Sequence, residues 1–427
     1  EGARWRIFPP PRSSISTSNL FLLLFPFPFL FLLLLPSPSS SLRFEPLHFS
    51  DGMILQRAPS RARIYGALDS IRAPFVQITL TVSPALNPSG TYTKVVGADP
   101  NTGTFSALLE PHSSREGKFT ISASCTKHCD DAEYPTKESP STAAISGVLF
   151  GDVWFCSGQN NMALPLEYTF GKERSAMAVR EGKYDSVRLF SLEGNMSWEQ
   201  PWSKPRDMVG ATSGEDSGSD FYKYSSTCWY FAEALRDRLG SKAPPLGLVH
   251  VSYASSKIED WLDDETLGTC TDVLPRYSKH PQGWNDERIE PFARMTVKGW
   301  LWYQGELDVQ GAFGNYDRHT GYACLFPALV SSWRSKWSRT PGTTPHDAPF
   351  GFVTLPPSGG QDYPDVGAFR WAQTAGYGVV PNPALPKTFM AQGYDLDDPF
   401  GGEGIDRRRC YDEGCCHPAT FAYQKDP

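Results

Sequence analysis

Two patterns of apolar and polar residues divide the chain near residue 146. Before it come short segments of alternating character, Arg63–Tyr65, Val76–Val82, Tyr92–Val96 and Lys118–Ala123, separated by turn residues such as Pro88-Ser89-Gly90. A period of two belongs to strands with one face in a core, so residues 43–146 are expected to form a small antiparallel β domain. From Gly147 strands alternate with helices, which predicts an α/β parallel sheet flanked by helices over residues 147–427. The expected strands include Val153–Cys156, Leu246–Ser252, Gly299–Tyr303 and Phe350–Leu355. Phe221–Leu239 reads as a helix, with Phe221, Tyr224, Cys228, Phe231, Leu235 and Leu239 facing a core and Gly240 as its C-terminal cap. Phe326–Trp337 reads as another, with Pro327 tolerable only in the first turn.

The first 42 residues follow a different rule. Arg4, Arg6 and Arg12 precede an apolar run from Leu20 to Leu35, which Pro26 and Pro28 interrupt and a Pro-Ser tract follows. That order predicts a secretory signal; the rival, a membrane anchor, needs a longer run without prolines, so no stable anchor is expected. Entry to the secretory pathway, with secretion or a lysosomal destination, permits disulfides and makes Asn195-Met196-Ser197 a usable glycosylation sequon.

Composition narrows the function. A length of 427 residues suits two domains, and a net charge of −7 without a basic stripe argues against nucleic acid. Nine cysteines show no paired CxxC spacing of the kind that signals zinc, and the odd count leaves at least one thiol free or paired between chains. Cys125 and Cys129 are either a local bridge or two unrelated loop thiols.

The candidate chemistry lies in Gly151–Met162, GDVWFCSGQNNM: a short apolar strand, a turn crowded with small and amide residues, then a helix start at Met162-Ala163-Leu164 before Pro165. A strand delivering a tight turn at a sheet edge is where α/β enzymes mount a nucleophile. The segment closely resembles the sialate O-acetylesterases of the SGNH hydrolase superfamily, whose nucleophilic serine lies between the glutamine and the asparagine. This chain has Asn160 there. A carboxamide has no hydroxyl to ionise and cannot form an acyl-enzyme by the family's route. Ser157, three residues earlier, is the one nearby substitute, but its side chain would leave the sheet in another direction.

Further matches follow in order. Phe44, Asp51–Gln56 and Ile64-Tyr65-Gly66 are similar to the family's opening strands. The Tyr253–Trp261 loop corresponds to one in which a glycine amide helps hold the oxyanion; here Ala254 and Ser255 replace both glycines, which keeps an amide but makes any positive φ costly. Trp302-Tyr303-Gln304-Gly305-Glu306 matches letter for letter, after which Leu307-Asp308 replaces serine-asparagine. By resemblance Gln304 and Gly305 line the acyl pocket and Glu306 braces it from behind. Glu290 stands where the family has histidine. Matches continue through Phe326–Leu329, Trp333-Arg334, Phe369–Ala375, Val380–Pro383 and Thr388–Ala391, so the resemblance covers roughly residues 43–401. The family's general-base histidine precedes a proline, which makes His417 the candidate; a second alignment sets Gly404-Ile405-Asp406 there and leaves no base. Asp397, Asp398 and Asp412 remain open as its partner, and most of the other seven histidines are expected at the surface or in loops. The family's C-terminal β region has no counterpart up to Pro427.

The resemblance implies removal of O-acetyl groups from sialic acids or sialoglycans without a metal or organic cofactor. With Asn160 in the nucleophile position, the expectation is an impaired esterase. A non-catalytic glycan-binding module and a diverged or mispredicted gene product are the alternatives.

Overall fold

The computed structural model describes residues 42–68, 76–127, 142–193, 198–210, 219–270, 283, 285–310, 321–356 and 366–393. All fall within one compact unit. Its strands are β1 (Leu42–Phe44), β2 (Ile54–Gln56), β3 (Arg63–Leu68), β4 (Gln77–Pro84), β5 (Tyr92–Gly97), β6 (Thr104–Leu108), β7 (Phe119–Lys127), β8 (Thr142–Gly158), β9 (Val187–Glu193), β10 (Trp198–Ser203), β11 (Leu246–Ser252), β12 (Gly299–Tyr303), β13 (Phe350–Val353) and β14 (Thr388–Ala391).

Strand β8 joins the two pattern regimes without a break. Its first half pairs antiparallel with β7, Ser124 opposite Thr142, its middle pairs parallel with β2, its last seven residues pair parallel with β11, and the last five of these also pair parallel with β12. Burial changes along it accordingly: residues 142–149 mix exposed and buried positions, whereas 150–158 are buried throughout. That is why the stretch reads as a continuous apolar run, since a strand covered on both faces has no polar side to show.

The main path of the large sheet runs β10-β9-β11-β8-β12-β13-β14, parallel except for β10, which pairs antiparallel with β9 at one edge, while β7, β4 and β5 join the same sheet antiparallel through the first half of β8. The expected parallel sheet is therefore a mixed one. A separate three-stranded antiparallel sheet, β1-β3-β6, meets the β expectation for the first part of the chain. Alternation divides the core across the large sheet. Phe155, Trp300 and Trp302 pack on one face with Trp333 and Trp337, whereas Trp154, Cys156, Leu301 and Tyr303 pack on the other with Met162, Tyr224 and Trp229.

Two helices depart from expectation. The Phe221–Leu239 stretch breaks at Tyr224-Ser225 into Asp220–Lys223 and Ser226–Leu239. Ser225 caps the second piece by accepting from the Cys228 N–H, and the break lets the Tyr224 carbonyl accept from Leu166 N–H at 3.0 Å. Of the expected core-facing positions, Phe221, Tyr224 and Cys228 are fully buried, Phe231 and Leu235 are partly buried against the same core, and Leu239 is exposed; Trp229, Ala232 and Glu233 complete the buried face. Gly240 does cap the end, at φ 53°. The second helix starts five residues early, at Gly321, and holds Pro327 in its interior. Two disulfides staple these elements: Cys156–Cys228 ties β8 to the Ser226–Leu239 helix, and Cys270–Cys324 anchors the Gly321–Trp337 helix. Cys125 is also disulfide-bonded, while Cys129 lies outside the described residues.

Candidate functional site at the sheet edge

Three central strands end in register. Gly158 of β8 stands opposite Ser252 of β11 and Tyr303 of β12, so the segments 159–161, 253–256 and 304–306 leave the same edge of the sheet. Glycine permits this closeness at two points. A Cβ at Gly158, φ 147°, would sit 2.0 Å from the Tyr303 carbonyl oxygen, and one at Gly305, φ 135°, would sit 2.4 Å from the Phe369 ring. The strand ends are tied by Gln159 N–H donating to the Tyr303 carbonyl and Tyr253 N–H to the Gly158 carbonyl, both at 3.0 Å.

A buried polar network lies under that edge. Gln304 Nε2 donates to Gln159 Oε1 at 2.7 Å and to the Ser256 carbonyl at 3.1 Å and also contacts the Asp308 carboxylate; Gln304 Oε1 accepts from the Tyr322 hydroxyl at 2.9 Å. Glu306 Oε1 accepts from both the backbone N–H and the side-chain Nδ2 of Asn161, at 3.0 and 2.6 Å. Burial pushes the Glu306 carboxyl up to about 7, against the pull of those donors. Burial, and then the charge of Glu259, hold Asp308 well above the usual carboxylate range, and Glu259 is raised as well by its own burial. Two buried carboxyls side by side favour keeping a proton between them.

Above the network sits Asn160. Half-buried, it opens the short helix Asn160–Ala163, and its Oδ1 accepts from the Ser255 backbone N–H at 2.9 Å. Ser255 is exposed and has φ 56°, a left-handed conformation that glycine adopts freely and serine at a cost of roughly 1 kcal/mol or more. Ala254 is buried beside it. The edge thus presents one backbone N–H already held by a carboxamide oxygen, and no hydroxyl at residue 160.

A family model described as "carbohydrate esterase, sialic acid-specific acetylesterase" matches residues 150–337. Among curated proteins the chain is 33% identical over 379 residues to sialate O-acetylesterase from Homo sapiens, covering 83% of this chain and 66% of that one. It is 32% identical to the Rattus norvegicus protein of the same name, covering 82% and 68%. The chain belongs to the sialate O-acetylesterase family. It spans about two-thirds of the length of these relatives. Among solved structures, a carbohydrate acetylesterase from Xanthomonas citri shares the fold at a TM-score of 0.58 and 22% identity, over 83% of this chain and 69% of that one.

With the family established, the expected site residues can be placed. Asn160, Ala254, Ser255, Gln304, Gly305 and Glu306 come together at one sheet edge, with Asn161 and Gln159 as the links between them. His417, Asn195, Asp397, Asp398 and Asp412 lie outside the described residues. Ser157 is fully buried, its Oγ without a hydrogen-bond partner, and belongs to the sheet interior. Glu290 takes no part in this edge; it pairs with Lys336 and Arg339.

Of the histidines expected at the surface or in loops, His346 is exposed and His48 and His112 lie in a turn and a loop, though both are buried, whereas His250 is buried inside a strand and departs from that expectation. His250 bridges the Ser191 and Ser252 hydroxyls, at 2.9 and 2.7 Å, and burial lowers its pKa to about 3, so it stays neutral. Its place in the apolar strand LGLVHVS was the available signal. Gln159, Asn161, Tyr322 and Asp308 are participants whose roles sequence reasoning did not assign. Among the described residues no group of three or more His, Cys, Asp or Glu side chains is arranged to hold a metal ion.

Proposed function

We propose that this chain is an SGNH-hydrolase-like relative of the carbohydrate acetylesterases whose site takes O-acetylated sialic acid and whose hydrolysis is impaired. The carrying observation is the Asn160–Ser255 hydrogen bond, a carboxamide oxygen on a backbone N–H at the edge where three parallel strands end. In the family's reaction a hydroxyl at this position would attack the acetyl carbon, and a backbone donor on the facing loop would receive the developing oxyanion. Asn160 supplies no attacking oxygen, and its Oδ1 competes with the substrate oxygen for the donor. In this reading Gln304 and Glu306 hold the two loops in position, and His417 is the proposed base. Two described disulfides favour passage through an oxidising compartment, in keeping with a secreted or lysosomal protein and with glycosylation at Asn195.

The test is hydrolysis of p-nitrophenyl acetate and of an O-acetylated sialoside by the parent chain and by Asn160→Ser. The parent is expected to show no turnover above background and the variant partial turnover. Full hydrolysis by the parent would refute impairment. Saturable sialoside binding by the parent without turnover assigns it a glycan-binding role, the alternative that the intact network supports.

A further inference from the structure

Away from the sheet edge, a cavity of about 190 Å³ opens where β3 meets the C-terminal end of the Gly321–Trp337 helix. Four cations face it, Arg63, Arg294, Lys336 and Arg339, with Glu290 the one carboxylate in its wall and Trp337 at its side. Two of the cations are spoken for. Lys336 contacts Glu290 and lies 2.7 Å from Asp263, and Arg339 Nη1 reaches Glu290 Oε2 at 3.2 Å.

The other two are not. Among the described residues neither Arg63 nor Arg294 pairs with a carboxylate. Arg63 donates from Nε to Ser106 Oγ at 2.7 Å and from Nη1 to Thr340 Oγ1 at 3.2 Å, both neutral acceptors that fix the guanidinium and leave Nη2 unused. Arg294 lies with its guanidinium carbon 4.2 Å from the centre of the Tyr65 ring, which orients the group without neutralising it. The two guanidiniums repel: Arg63 is pushed below its ordinary pKa by burial and by the charge of Arg294. Like charges held together at a cavity mouth cost free energy unless an anion joins them, and a preoriented guanidinium suits a planar or tetrahedral oxyanion.

We propose that this cavity is a second binding site, for a divalent oxyanion of the phosphate or sulfate class, either free or carried on a sugar. Two uncompensated positive charges match a dianion better than a monocarboxylate. The site is independent of hydrolysis at the sheet edge and stands whether or not residue 160 supports turnover.

Isothermal titration of the parent chain at constant ionic strength tests it, with sodium sulfate, inorganic phosphate, glucose 6-phosphate, glucose and acetate as probes. Sulfate and phosphate are expected to bind saturably with Kd near 1 mM or below, and acetate at least about tenfold more weakly. Binding of glucose 6-phosphate but not glucose assigns a sugar-borne ligand; exclusion of glucose 6-phosphate with binding of phosphate assigns the free ion. Arg294→Gln should weaken sulfate binding about tenfold or more, and Arg294→Lys by less. Absence of saturable sulfate and phosphate binding to the parent overturns the proposal without recourse to any variant. Unchanged affinity in a folded Arg294→Gln protein overturns it equally.

Discussion

The underside and the top of one sheet edge are built on opposite terms. Below, Gln304, Glu306 and Asn161 are buried and every link runs protein to protein, from Tyr322 through Gln304 to Gln159, and from Glu306 to Asn161. Above, Asn160 is half-buried, Ser255 is exposed, and one hydrogen bond joins them across a strained backbone. Removing a partner below leaves a desolvated group that nothing replaces, whereas water fills in above. The fold therefore holds the supporting side chains in place through its own stability. It exerts no such hold on residue 160, where, in the proposed reading, a serine-to-asparagine exchange would cost the fold little and the chemistry most of its rate.

The contrast can be broken or sharpened in four ways. Glu306→Ala strips both donors of Asn161 of their acceptor and opens a buried void, and it should lower unfolding free energy in urea by roughly 4 kcal/mol. A loss below 1 kcal/mol would show that the underside is no more demanding than the top.

The next effect is in pH. The carboxyl of Glu306 is raised from 4.5 to about 7, so the folded state holds a proton that the unfolded chain has released. Its contribution is complete below 4.5 and is lost as pH climbs through 7, a decline of roughly 3 kcal/mol. Asp308, also raised, acts in the same direction. Unfolding measured from pH 4.5 to 8 should show this decline, and Glu306→Gln should flatten its Glu306 part; a parent whose stability rises over the interval contradicts the burial argument.

At the top, Ser255→Gly added to Asn160→Ser should raise acetate-ester turnover about tenfold over Asn160→Ser alone, since the donor amide regains the freedom glycine allows. No change would mean that backbone strain at residue 255 does not limit the site. The smallest effect is thermal: Ser255→Gly in the parent should stabilise it by about 1 kcal/mol, because φ 56° ceases to be penalised. Destabilisation of that size would show that the serine side chain contributes something its exposure hides.

Much of the frame was legible in the letters. Leu246–Ser252 and Gly299–Tyr303 begin and end where their apolar runs do, since a strand buried on both faces must be apolar throughout. The Ser226–Leu239 helix was drawn too long, from Phe221 across a break, although Phe221, Tyr224 and Cys228 are buried as expected. Nothing local to Tyr224 and Ser225 reveals that residues 164–166 will bond to that stretch and interrupt it. Pro327 misled for a related reason: propensity places proline in a first turn, but packing on both sides carried the helix through it.

By itself the sequence determined the family, the extents of the large sheet's central strands, and the absence of a hydroxyl at residue 160, because each is written in contiguous residues whose spacing survives any tertiary arrangement. Only the folded molecule decided that the Asn160 oxygen meets the Ser255 amide, that Glu306 faces Asn161 with a carboxyl poised near neutral pH, and that Arg63 and Arg294 share a cavity with neither paired to a carboxylate among the described residues. Those facts depend on side chains from distant segments meeting in three dimensions, where burial and proximity, rather than residue type, set the energy of a charge or a hydrogen bond.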